Sequence, residues 1–215
     1  MKKLIPLMLL CSLLACWSCN IEDTYTQTNV QEMLTVVEGS LKTDGGYTLT
    51  VTEDLVGPSV WRQEGARFLG LFDILNRNLD VTLKQVEPAI IQPCPDYVAS
   101  EDEPQDPCEL YYATVSGGYV NLGIANYRSK TSNFAHTYSF FHENTDVDLT
   151  LYIFHNGNSE DITHMSKDQL DVESRIFSLP ISNVASFMSI NIVMYGFSSD
   201  ATGNTIVKKL ELYLK

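Results

Sequence analysis

Apolar residues in this chain recur with a period of two. In Tyr47-Thr48-Leu49-Thr50-Val51-Thr52, Tyr47, Leu49 and Val51 share one face of an extended segment. Leu79, Val81 and Leu83 alternate with Asp80, Thr82 and Lys84, and Val147, Leu149, Leu151 and Ile153 alternate with Asp148, Thr150, Tyr152 and Phe154. Such spacing lines one face of a strand, whereas a helix needs apolar positions every three to four residues. The composition agrees, with 11 Tyr and 9 Phe beside frequent Thr and Val, residue types that pack well on pleated surfaces. The expected fold class is therefore all-β.

Turn chemistry divides the strands into two groups. Between 28 and 87, candidate strands lie around Met33–Val37, at 47–52, in the apolar run of 67–75 and at 79–85, with a helix at 66–75 as the rival reading of that one element. Thr43-Asp44-Gly45-Gly46 offers Asp-Gly and Gly-Gly hairpin signals, and Gly57-Pro58 breaks the chain again. About five short strands in some 60 residues suit a small barrel of the OB type. From 109 to 215, strands are expected at 109–115, 118–127, 134–143, 147–155, 174–180, 187–196 and 205–214. Seven strands with turns between them suit an antiparallel β-sandwich. The polar stretch 159–173 reads as a loop with one short helix.

Between the two groups the composition shifts. Five of the eight prolines fall between Pro88 and Pro107, and no Lys or Arg occurs from Gln85 to Tyr127. Proline interrupts both helices and central strands, so 88–108 reads as an acidic linker between the barrel and the sandwich.

The N-terminus reads as an export signal. Lys2 and Lys3 precede an apolar run, Leu4–Ala15, that is too short to span a bilayer. Leu13-Leu14-Ala15-Cys16 resembles a bacterial lipobox, and Trp17-Ser18-Cys19 offers a second candidate with an acidic stretch behind it. Cys19 is the favoured lipidation site and Cys16 the alternative. The expected layout is a signal at 1–18, a tether at 19–27, and attachment to the outer membrane through lipid alone, since an acyl pair anchors without help from the polypeptide. The two remaining cysteines, Cys94 and Cys108, form an even pair in an exported chain, and a disulfide between them is expected. It would close a loop of 15 residues, which the chain-entropy relation values at about 3 kcal/mol.

Charge narrows the partners. The formal net charge is −13, and the 28–87 segment carries five Lys and Arg against nine Asp and Glu. OB folds that hold nucleic acid use a basic groove, so nucleic acid is disfavoured, as are anionic lipid surfaces. Of the four histidines, His136 and His142 share a strand face and His155 can approach one of them, yet a transition-metal site needs three or four converging ligands and the tight spacings are missing. The oxygen-rich Asn156-Gly157-Asn158-Ser159-Glu160-Asp161 lacks the ligand periodicity of a calcium loop. No Gly-x-Ser-x-Gly or cofactor motif occurs, so no catalytic residue and no cofactor is assigned.

Several segments together resemble the NigD-like lipoproteins of Gram-negative anaerobes: Thr35-Val36-Val37-Glu38, Gly65-Ala66-Arg67-Phe68, Gly118-Tyr119-Val120-Asn121-Leu122, His136 opening a strand, Tyr152 through Asn158, and Arg175 through Pro180. The resemblance implies an N-terminal OB-like domain, a C-terminal β-sandwich and a lipoprotein of unestablished role. The family's name comes from a bacteriocin-type gene cluster, a hint of immunity or export. The residues thus point to a non-catalytic binding protein whose partner is an envelope protein or a neutral glycan, with a surface glycan-handling hydrolase as the alternative. Tyr111, Tyr112, Tyr119 and Tyr127 are the candidate ligand-binding aromatics, because tyrosine is enriched at binding surfaces.

Overall fold

The computed structural model describes residues 25–57, 61–158, 160, 162, 164–199 and 205–214. The signal, Cys16 and Cys19 lie outside the described residues. The described chain forms twelve strands and two single 3-10 turns, at Lys167–Gln169 and Val184–Ser186. Among the described residues, no helix is long and apolar enough to cross a membrane.

Five strands make the barrel: β1 (Gln27–Val37), β2 (Ser40–Thr43), β3 (Thr48–Asp54), β4 (Arg67–Ile74) and β5 (Asp80–Ile91). β1 pairs with β2 and β4, β2 with β3, β4 with β5, and the parallel pairing of β3 with β5 closes the ring. Leu34, Val36, Leu41, Phe72, Val81 and Leu83 fill it. The run at 67–75 is a strand, and its Gly70 leaves the space that the Leu34 side chain occupies. Strand β2 escapes sequence reading because its turn is Glu38-Gly39, both at positive φ (52° and 72°). Glutamate there lacks the usual Asn-Gly signature, and the Glu64 carboxylate compensates by accepting both turn N–H groups at 3.0 and 3.3 Å.

The sandwich comprises β6 (Glu109–Ser116), β7 (Tyr119–Ser129), β8 (Thr137–Asn144), β9 (Asp148–Asn156), β10 (Leu170–Pro180), β11 (Ser189–Ser199) and β12 (Thr205–Leu214). All seven expected strands are present. One layer runs β5-β10-β7-β6 and the other β12-β11-β9-β8, with Leu122, Ile124, Phe140, Leu149, Leu151, Ile153 and Ile192 among the side chains buried in the core cluster between them. The sandwich is not purely antiparallel: β5 with β10 and β9 with β11 run parallel.

The β5 strand binds the two units together. Its first residues pair with β3 and β4, and Ala89, Ile90 and Ile91 pair with Ile176, Phe177 and Ser178 of β10. The segment expected as a linker from 88 thus begins inside a strand. Met33, Leu69 and Ile176 form a separate buried cluster at this junction, with Ala89 and Tyr112 against it.

Beside that seam lies the buried guanidinium of Arg67. Its Nε–H donates to Ser178 Oγ (2.9 Å), one terminal nitrogen to Thr35 Oγ1 (2.9 Å) and Asp44 Oδ1 (2.7 Å), and the other to Asp44 Oδ2 (2.5 Å) and Asn121 Oδ1 (3.0 Å). All five donors are used. Ser116 Oγ adds a bond to Asp44 (2.5 Å), and the Tyr119 ring lies 4.2 Å below the guanidinium carbon. Gly117 permits this approach: a Cβ there would sit 2.5 Å from Asp44 Oδ1. Removing one partner of a buried ion pair strands the other charge at a cost of about 3–5 kcal/mol. Asp44→Ala is therefore expected to lower unfolding stability by about that amount, measured as the shift in urea midpoint at constant slope. A change of only a few tenths of a kcal/mol, about that of an exposed pair, would show that the ion pair does not hold the units.

Candidate functional site

The proline-rich segment after β5 crosses the outer face of the β8–β9 hairpin as a strap. Near its start, His142 N–H donates to Pro95 C=O (2.9 Å), Tyr97 N–H donates to His142 C=O (2.7 Å), and the His142 Nδ1 lies 2.8 Å from Cys94 C=O. At its end, Asp106 bridges to His155, Gly157 N–H donates to Asp106 Oδ2 (2.7 Å), and Cys108 N–H donates to Tyr195 C=O (2.9 Å). The strap is therefore anchored by backbone pairing at both ends.

The expected Cys94–Cys108 disulfide is not formed in the structure. Both are free thiols, 8% and 1% exposed, packed into the sandwich core. Burial pushes each thiol up to about 12. The histidine contacts hold both ends of the strap.

Between the strap and the hairpin is a groove of about 170 Å³. On the outer face, Phe141 pairs with Tyr152 and Ser139 with Phe154 across the two strands. Tyr97 of the strap stacks on Tyr152, with centroids 3.9 Å apart and an interplanar angle of 15°, and meets Phe141 edge-on at 6.4 Å. The Tyr97 hydroxyl donates to Glu103 Oε1 (2.6 Å), a bond that, with desolvation, pushes its pKa up to about 12. Ser100 N–H donates to the same oxygen at 3.2 Å. Val98 and Pro104 wall the groove, and Asp102 adds a second carboxylate.

On the inner side lies a buried polar cluster. His136 and His155 are 4% and 2% exposed, and His136 Nδ1 lies 3.0 Å from His155 Nε2. Tyr138 donates its hydroxyl to Asn126 Oδ1 (2.6 Å), which turns Asn126 Nδ2 toward His136 Nδ1 at 2.7 Å. The amide is a donor there, so Nδ1 accepts and the His136 proton belongs on Nε2, facing Glu160 Oε2 at 3.2 Å. His155 Nδ1 faces Pro107 C=O at 3.0 Å and must donate. Its Nε2 then meets His136 Nδ1 lone pair to lone pair unless one more proton enters. That proton would complete the bond but would put a charge in the core. Burial opposes it first and the neighbouring imidazole second, and together they hold His155 below its ordinary pKa against the Pro107 bond.

Three of the four histidines thus have structural assignments. His142 sits at the strap's start, with Nε2 3.4 Å from Asp96, and does not join His136 and His155. Among the described residues, no group of three or more His, Cys, Asp or Glu side chains is arranged to hold a metal.

The four tyrosines singled out by sequence do not meet on one surface. Tyr111 is the extra residue of a bulge opposite Gly123, exposed, with its hydroxyl 3.0 Å from Glu87; desolvation and that carboxylate push it up to about 12. Tyr112 packs at the junction, Tyr119 lies under Arg67, and Tyr127 meets Phe197 edge-on at 5.7 Å. The aromatics that do converge are Tyr97, Phe141, Tyr152 and Phe154. The cross-strand positions of the last three follow from the β8–β9 pairing, whereas the approach of Tyr97 depends on the strap.

A Bacteroides vulgatus protein of unknown function, DUF1344, aligns over 87% of this chain and 92% of its own, with TM-score 0.61 and 14% identity. A NigD-like immunity protein from Bacteroides caccae aligns over 86% and 97%, with TM-score 0.54 and 15% identity. The chain has the NigD-like fold. A Bacteroides fragilis protein described as a candidate lipoprotein shares it, with TM-score 0.51, 16% identity, and coverage of 88% of this chain and 99% of its own. No protein-family model and no curated protein matches the sequence. Within this NigD-like fold the strap and its groove lie on the β8–β9 side of the sandwich.

Two outcomes are expected. His155 has a folded pKa below its ordinary value of about 6.5, so its contribution to stability is present above about pH 6.5 and is lost as pH falls through the folded pKa. The difference in denaturation midpoint between wild type and His155→Gln should therefore shrink from about pH 7.5 to about pH 5; a constant difference would remove His155 from the pH response. Cys94 and Cys108 should resist alkylation while folded and both react when denatured without reductant, read by intact mass. Thiols blocked in that second step would show that the bridge forms in the exported protein.

Proposed function

We propose that this chain is a lipid-anchored binding protein of the outer envelope, acting without catalysis on an envelope protein or a neutral glycan. The observation that carries this reading is the groove. The strap and the β8–β9 hairpin together place three aromatic rings and two carboxylates around an open cleft on a sheet face, and rigid scaffolds presenting loops are where recognition concentrates. The lipobox-like Cys16 and Cys19 support attachment through lipid, as does the likeness to a candidate lipoprotein. The immunity label belongs to the Bacteroides caccae neighbour; a binding role is the part of it that the groove supports here.

Two measurements test the reading. Intact mass of the mature protein from membranes should show a diacylated and N-acylated Cys19, or Cys16 if Trp17 is retained; a start at any other residue removes the anchor. The immobilised mature chain should retain an envelope protein or a neutral glycan at low and at physiological salt. Saturable release of product from a glycan or peptide, with no retained partner, would replace the binding role by that of a hydrolase.

A further inference from the structure

Resting on that binding reading, we infer that the groove under the strap is a sugar site that takes one neutral pyranose ring of a glycan. A pyranose presents a face of C–H bonds and a rim of hydroxyl groups. The groove offers the counterpart of each. Half-buried Phe141 offers its ring on the sheet side, backed by the buried Phe154 with centroids 6.0 Å apart, and Tyr97 closes the strap side. Apolar C–H groups gain dispersion contact on such rings. Glu103 spends its internal bonds from Tyr97 and Ser100 on Oε1 alone, which leaves Oε2 for an incoming hydroxyl. Asp102 and the Ser139 hydroxyl complete the polar lining. Hydroxyl bonds to carboxylates are charge-assisted and stronger than neutral ones.

Size and charge select the occupant further. About 170 Å³ is below the roughly 300–1,000 Å³ of sites for drug-sized ligands, so one ring enters while the rest of a chain lies outside. No Lys or Arg occurs from Gln85 to Tyr127, and Glu101, Asp102 and Glu103 stand together in the strap. A uronic acid or sulfated sugar would bring its charge against carboxylates with no strap cation to pair with it. The site is also preformed: Tyr97 is held by its stack on Tyr152 and its bond to Glu103, so little ordering remains to be done on binding.

The experiment uses the mature chain and ligand-observed NMR with a panel of neutral hexose oligosaccharides and their uronic acid counterparts. Neutral sugars should bind and uronic acids should not. Phe141→Ala should weaken binding about tenfold or more, the range of a central aromatic contact. Ser139→Arg, an exposed position where added bulk fills the groove without disturbing the core, should abolish it. Glu103→Gln should weaken neutral sugars and lessen the rejection of uronic acids. Circular dichroism and the urea midpoint of each variant separate loss of site from loss of fold. Neutral sugars that bind wild type and Ser139→Arg equally, or uronic acids that bind as well as neutral sugars, would overturn the site. So would capture of an envelope protein with no sugar bound at all, although the binding role would then stand. Product release without retention would overturn both.

Discussion

The buried guanidinium of Arg67 is the contact on which the arrangement of the two units depends. It belongs to β4 of the barrel, yet two of its partners, Ser178 and Asn121, belong to the sandwich, and Ser116 of the sandwich reaches the same Asp44. With side chains 2% and 5% exposed, the pair has left water, which costs several kcal/mol per ion unless every donor is met. Arg67 meets that requirement because its planar fork offers five donors in fixed directions; a lysine has three donors around a point charge and would leave part of the ring of acceptors unmet. Direction is the consequence. Met33, Leu69 and Ile176 bury area at the junction without specifying an angle, whereas five directed bonds to four residues fix one.

The strap follows from that rigidity. β5 runs continuously from the barrel into the sandwich sheet, so the chain leaves Ile91 at a defined point and must return to β6. Prolines keep it extended and remove donors, and β8 lends its own edge groups to Pro95 and Tyr97. An edge strand with unpaired groups invites association with other chains; here the strap occupies part of that edge. The histidines serve this end: His142 pins the start and His155 the finish, each through a backbone carbonyl of the strap.

Much of the fold was legible in sequence because strands leave a local trace. Alternation at Leu149, Leu151 and Ile153 marks the buried face of β9, and the seven sandwich strands overlap their expected ranges, although β10 begins at Leu170, inside the stretch read as a loop. Turn chemistry was legible where it was conventional, at Asp44-Gly45-Gly46, and illegible at Glu38-Gly39, where a distant carboxylate supports an unfavourable conformation. Pairing order was less accessible. That β5 runs parallel to β10, or β9 to β11, is decided by packing across more than thirty residues of sequence, and no dipeptide encodes it. The site residues were legible in the same uneven way. His155 could be placed near another histidine from strand positions, but Glu160 and Arg67 act through partners far along the chain. The tyrosines of β6 and β7 were selected by type, and type does not say which way a bulged strand turns them.

The chemistry of this chain is governed by where its few cations go. Arg67 is consumed inside by Asp44, Lys84 lies 2.7 Å from Asp73, and Arg175 is paired with Glu173. These pairings draw positive charge toward the barrel and the β10 layer, away from the strap. The strap is left with carboxylates alone, and the structure turns some of them to internal use: Asp106 caps Gly157, and Glu103 accepts from Tyr97 and Ser100. A carboxylate that already accepts two internal bonds is fixed in place, and its second oxygen keeps both its charge and its direction. Such oxygens disfavour anions and accept from hydroxyl groups, while the aromatic rings beside them take apolar C–H faces. The selectivity expected of the groove is thus a consequence of the same scarcity of cations that made a buried, fully bonded Arg67 the means of joining the two units.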